Sequence, residues 1–150
     1  MGKHLARYSR EGLGVDINSV AVQNSEHNRD RLGLSNVSFH RSDVFDNVVG
    51  QFDVIVCNHP FFDSDPIEGE MITRAWFNNG EFIERFFQEA PKYLKKGGKI
   101  IMPFFPFAGN KNNPKLHAER LGYKVETIND EVIDDENIQK GEFIIYMICL

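Results

Sequence analysis

Cysteine is scarce in this chain, with only Cys57 and Cys149, each inside an apolar strand-like run. Two thiols so placed read as buried free cysteines of a cytosolic protein, with a disulfide or metal pair the lesser reading. The five histidines are scattered and keep no ligand spacing with the cysteines, so no metal site is expected. No apolar run approaches the ~18 residues that span a bilayer, and the N-terminus lacks a signal-peptide core. The expectation is a cytoplasmic protein without a membrane partner. Met1-Gly2 opens like a myristoylation site, but Ala6 stands where Ser or Thr is required. Positive charge is also short: 17 Lys and Arg against 22 Asp and Glu leave a net charge of -5. No global basic field therefore advertises nucleic-acid binding, although a local patch or a partner could supply the charge. Internal repeats and low-complexity tracts are lacking too.

What is present suits a packed core. Forty-one per cent of the 150 residues are hydrophobic and thirteen are phenylalanine, which favours a single folded domain over 1–150. The stretch from Phe52 to Phe62 organises the reading. Val54, Ile55 and Val56 are a β-branched run that suits a strand buried on both faces of a parallel sheet. Asn58 and Pro60 then force the chain out of the sheet near Cys57, and Phe61 and Phe62 follow at once. In open α/β sheets ligands bind outside the carboxyl ends of strands, so an amide, a stiff turn and a ring placed there suit a flat substrate. A buried strand followed by a proline turn and two core phenylalanines is the plain alternative.

Taken in order, residues 3–11 predict a short helix capped by Gly12, followed by a strand over Leu13 to Ile17. Asn18 or Ser19 caps a helix that runs towards Leu32 and stops at Gly33. Asp16, at a strand end just before that helix, is placed either as a cap or as an acceptor for both hydroxyls of a ribose. A short strand over Val37 to Phe39 leads to Ser42-Asp43-Val44-Phe45. The segment from Asp63 to Asn79 is acidic and irregular, as lids and substrate loops often are, with Arg74 a candidate substrate contact and Trp76 a packing anchor. Glu81 to Leu94 carries Phe82, Ile83, Phe86, Phe87 and Ala90 on one helical stripe, which marks a core face. Pro91 resets its last turn, and Lys95-Lys96-Gly97-Gly98 is expected to close it. A strand over Lys99 to Phe105, a helix over Pro114 to Leu121 and two strands, Tyr123 to Ile128 and Glu142 to Leu150, complete an α/β chain with a mainly parallel sheet.

Asn58-His59-Pro60-Phe61 resembles the Asn-Pro-Pro-Tyr/Phe signature of class I S-adenosylmethionine-dependent methyltransferases that modify amino or amide nitrogens. His59 replaces the commoner proline. Gly14-Val15-Asp16-Ile17-Asn18, Asp43, the Leu94-to-Lys99 corner and the final hairpin look like the same family, nearest to its release-factor glutamine and ribosomal RNA guanine-N2 branch. The resemblance implies a Rossmann-like sheet with helices on both faces, a C-terminal antiparallel hairpin, and S-adenosylmethionine as cofactor. It places Asp16 on the ribose, Ile17 against adenine, Asp43 at the adenine amino group and the Val44 backbone beside the ring. Asn58, with the His59 or Pro60 carbonyl, would accept hydrogens from the substrate NH2, and Phe61 would stack on it. His59 invites a general-base role, but the family uses none there. The substrate would be a base in RNA or DNA, or a protein glutamine.

One family feature is missing: a first strand and a glycine-rich loop, of which Gly2 would be the last glycine. In the family that strand lies between those ending here at Asp16 and Asn58. The gap would close by direct pairing of these two strands or by a segment from another subunit, in a homo-oligomer or a complex, unless the chain is an incomplete gene product. A catalytically inactive domain that binds or stabilises a partner is the alternative function. A nicotinamide dehydrogenase is disfavoured, since Gly-x-Gly-x-x-Gly is absent.

Overall fold

The computed structural model describes residues 8–70, 73, 75–133 and 141–150. In chain order the described elements are β1 (Gly12–Asp16), α1 (Ser19–Arg31), β2 (Val37–Arg41), β3 (Phe52–Val56), α2 (Glu81–Glu89), β4 (Leu94–Phe104), α3 (Pro114–Arg120), β5 (Lys124–Ile133) and β6 (Gly141–Cys149). The fold is α/β and Rossmann-like. The chain divides into two compact units, Met1–Val49 and Gly50–Leu150.

In the first unit β1 and β2 pair in parallel, from Gly12 opposite Val37 to Asp16 opposite Arg41. Parallel neighbours need a crossover, and α1 supplies it. Asn18 caps α1 by accepting the Val20 N–H at 2.9 Å. Gly33, just past its end, takes a φ of +64°, which side chains disfavour. Gly14 answers to a different need: a Cβ there would stand 2.5 Å from the Phe39 ring across the ladder. Residues 3–7 of the predicted first helix lie outside the described residues. Residues 8–11 are not helical, and Gly12 opens β1 instead of ending a helix. Its N–H donates to the Asn36 carbonyl at 2.9 Å, so pairing with the chain before β2 recruits it into the strand.

The second unit is a sheet in the order β3-β4-β6-β5. β3 and β4 are parallel, while β6 runs antiparallel to both β4 and β5. Three of the four strands therefore share one direction, and β6 closes the C-terminal antiparallel hairpin. β4 is flanked on both sides, and Ile100, Met102 and Phe104 are buried along it. Ile83, Phe86, Phe87, Ala90, Ala118 and Tyr123 are also buried in this unit, as is Ile148, which stands beside Ile100 in the β4–β6 ladder. The α2 stripe is thus core, as its spacing predicts, with Phe82 half-buried.

Four expectations are corrected in this unit. The helix stops at Glu89, and Pro91 sits in a separate 3-10 turn over Ala90–Lys92. Lys95 to Gly98 do not close it. They form the irregular start of β4, which the Phe52 N–H ties down through the Tyr93 carbonyl at 2.8 Å. β3 is not buried on both faces: Val54 is 49% exposed, and among the described residues the strand has β4 as its one neighbour. Trp76 is 53% exposed and is no packing anchor.

Candidate functional site

The residues expected to hold an adenosine lie at the carboxyl ends of two neighbouring parallel strands. β1 ends on Asp16, whose backbone carbonyl accepts the Ser42 N–H at 3.0 Å just past β2. That bond sets Asp43 two residues beyond the end of β2. Asp16 is exposed, and its Oδ1 accepts the Asn18 N–H at 2.8 Å. The carboxylate therefore helps to turn the chain into α1, and Oδ2 has no partner among the described residues. Capping and ribose binding, read from sequence as alternatives, are compatible on the two oxygens. Ile17 is half-buried, and its carbonyl accepts from Arg41 Nε at 3.1 Å.

Asp43 is exposed and begins a turn in which its carbonyl accepts the Asp46 N–H at 3.0 Å. Val44 has a φ of +47°, the one positive value outside glycine among the described residues. A β-branched side chain in the left-handed region costs about 1–3 kcal/mol, strain that concentrates at ligand sites. The Ser42 hydroxyl supports this shape, donating to the Val44 carbonyl at 3.2 Å and accepting the Asn47 N–H at 3.0 Å. An open carboxylate oxygen, a second exposed carboxylate and a strained backbone turn at adjacent strand ends fit the adenosine half of S-adenosylmethionine. Gly2 lies outside the described residues.

In the second unit the motif turn leaves β3 where the sequence places it. The last ladder bond runs from the Cys57 N–H to the Ile101 carbonyl at 3.0 Å. Asn58 is exposed, His59 fully buried, Pro60 half-buried and Phe61 only 7% exposed. The alternation follows from the turn, which directs one side chain outward and the next into the sheet end. Phe61 packs on the His59 ring at 4.8 Å and edge-on to Phe105 at 4.9 Å, so it can offer a bound group no more than an edge. Burial holds the His59 imidazole down to about 4, against the pull of two backbone carbonyls.

Sequence reading misses the clasp beside this turn. Asp63 Oδ2 accepts the Lys111 N–H at 2.9 Å and Oδ1 the Asn112 N–H at 3.2 Å. The buried Asn112 carboxamide donates to the Phe62 carbonyl at 3.1 Å and also to the Asn78 carbonyl. Gly109, at a φ of +105°, must be glycine, since a Cβ would fall 2.1 Å from Asp63 Oδ2. Phe62 also bridges to Phe77, so the intervening segment starts and ends at one point. The polar run from Asn110 to Asn113 was the available signal, and it reads equally well as a solvated turn. Arg74 lies outside the described residues. Both cysteines are free, and no cluster that could hold a metal ion occurs among the described residues.

The profile of a family described as a methyltransferase domain matches residues 4–140. The chain belongs to that family. S-adenosylmethionine is the methyl donor such domains use. A Methanocaldococcus jannaschii protein assigned as a protein N5-glutamine methyltransferase is 38% identical over 119 residues, covering 76% of this chain and 59% of its own. The release factor glutamine methyltransferase of Haemophilus influenzae is 29% identical over 140 residues, covering 87% and 47%. This methyltransferase domain thus spans about half the length of these curated relatives. Among solved structures, NSun6 from Pyrococcus horikoshii with SFG superposes on 99% of the chain and 44% of its own at a TM-score of 0.67 and 18% identity, a likeness of fold. No described helix is long and apolar enough to cross a membrane.

The open oxygen of Asp16 sets a first expected result. Asp16→Ala weakens S-adenosylmethionine binding about 10- to 100-fold by isothermal titration, the scale of one charged hydrogen bond. Asp16→Asn, which keeps an acceptor for the Asn18 N–H, separates the cap from the ribose contact. An unchanged dissociation constant in the alanine variant contradicts the assignment.

Proposed function

We propose that this methyltransferase domain moves a methyl group from S-adenosylmethionine to a planar nitrogen, the side-chain amide of a protein glutamine. The observation that carries the reading is Asn58: an exposed carboxamide at the carboxyl end of β3, between a ladder bond on one side and a fully buried residue on the other. When bound, S-adenosylmethionine supplies a methyl group already activated by its sulfonium. The chain is then left with positioning. Asn58 Oδ1 accepts one hydrogen of the substrate NH2 and a backbone carbonyl of the turn accepts the other, which fixes the amide plane and aims the nitrogen. Phe61 backs the turn, while Asp16, Ile17, Asp43 and Val44 hold the adenosine. The nitrogen gives up one proton to water as it takes the methyl group, and the sulfur keeps the electron pair of the broken S–CH3 bond; the alignment itself needs no general base.

Two observations support protein over nucleic acid as the acceptor. The net charge of -5 offers no general attraction to phosphate, and both curated relatives named above are glutamine methyltransferases or assigned so. A cytoplasmic location belongs to the same reading. To test it, the chain is incubated with methyl-labelled S-adenosylmethionine and a cell extract containing both protein and RNA. Acid hydrolysis of the protein fraction is expected to release labelled methylamine, the product of N5-methylglutamine. Label recovered instead in nucleosides after nuclease digestion refutes glutamine as the acceptor.

A further inference from the structure

We infer that His59 is a positioning residue, whose buried ring is seated between the Pro60 carbonyl of the motif turn and the Pro103 carbonyl of β4, donates its one N–H to either, and so fixes the shape in which the turn presents Asn58. The inference rests on the reading of Asn58 as the substrate acceptor. His59 Nδ1 lies 2.8 Å from the Pro60 carbonyl oxygen and Nε2 lies 3.0 Å from that of Pro103.

The position of Pro103 explains why a ring is needed there. The parallel ladder carries the Cys57 N–H on the Ile101 carbonyl, and the next acceptor on that side, two residues along β4, belongs to Pro103. A straight β3 would offer it the backbone N–H of residue 59. The chain turns away at Asn58, and His59 Nε2 meets the carbonyl in its place. Proline at position 59 has neither an N–H nor a polar side chain to do so. The buried carbonyl at Pro103 would otherwise lose its partner on this side.

The same geometry excludes proton transfer to substrate. The ring is fully buried, covered by Phe61, and each nitrogen faces a backbone carbonyl. A general base needs a free lone pair within reach of the proton it removes. Desolvation, with His117 adding to it, keeps the ring neutral at pH 7, so it carries one N–H, which donates to one of the two carbonyls, and the tautomer selects which. In the Nδ1–H tautomer the Pro60 carbonyl is taken by the ring, which leaves the His59 backbone carbonyl as the partner of Asn58 in holding the substrate amide.

Ring nitrogen-15 spectra and methyl-transfer rates test this together. The His59 ring is expected to stay neutral from pH 5 to 9, with a slowly exchanging N–H; titration near 6.5 with fast exchange overturns this seating. His59→Ala is expected to lower kcat about 10- to 100-fold, the scale of a small misplacement, while S-adenosylmethionine affinity stays within about twofold. His59→Gln, which can donate to one carbonyl, should recover part of the rate and serves if the alanine variant does not fold. The pH–rate profile should have the same shape in wild type and variants. An unchanged kcat in a folded alanine variant overturns the proposal, as does an inflection near pH 6.5 in wild type that disappears in the variants. If the chain methylates no acceptor, the functional reading fails and the ring is judged separately. The Pro60 and Pro103 carbonyl-carbon and Asn58 side-chain amide shifts must then move in His59→Gln, and their constancy overturns this seating.

Discussion

Replacing Asn58 by alanine is expected to lower kcat for methyl transfer about 100- to 1,000-fold, with the dissociation constant of S-adenosylmethionine unchanged within about twofold. The scale is that of removing one preorganised polar contact from a reacting centre. Asn58 is suited to so large an effect because it follows the last ladder bond of β3 and precedes fully buried His59, so its backbone is held on both sides. A carboxamide on a fixed backbone accepts a substrate hydrogen without first being ordered. Alanine leaves the turn intact and removes the acceptor alone, so the loss falls on the chemical step. Initial rates at saturating acceptor, paired with isothermal titration, check it. Equal loss of rate and cofactor affinity would mean that Asn58 shapes the cofactor site and does not hold the substrate.

The second large effect is on stability. Phe87→Ala is expected to destabilise the unit Gly50–Leu150 by about 3–5 kcal/mol, read as a shift of the urea midpoint at constant slope. Phe87 is 1% exposed and packs edge-to-face against Phe86 at 5.3 Å and Tyr123 at 5.5 Å. The Tyr123 hydroxyl donates to the Phe87 carbonyl at 3.0 Å, so backbone and hydroxyl hold α2 beside the strand β5 while the ring fills the space between. The variant keeps that bond and leaves a cavity that fixed neighbours cannot fill. Against a total stability of ~5–15 kcal/mol, such a loss removes much of the margin. Leu116→Ala, on the half-exposed side of α3, is the control and should shift the midpoint little.

Where local rules act alone, the sequence is legible. The strand at Phe52–Val56, its exit at Asn58, the cap at Asn18 and the apolar stripe of α2 follow from periodicity and turn chemistry, and all are present. Where a neighbour decides, it is not. Gly12 looks like a helix cap until pairing with the chain before β2 makes it the first residue of a strand. Lys95 to Gly98 look like a helix end until the Phe52 N–H draws the chain into β4. Val54 looks doubly buried because composition cannot tell how many neighbours a strand has. The left-handed Val44 carries no sequence mark, since β-branched residues ordinarily avoid that conformation, and the burial of His59 depends on a carbonyl forty-four positions away.

The clasp formed by Asp63, Asn112, and the bridge between Phe62 and Phe77 has a consequence for how such a domain can diversify. Both ends of the span meet at one fixed point, so residues can be added or removed between them without shifting β3 or α2. The span is suited to act as a cassette, open to replacement while the Asn58 turn stays in place.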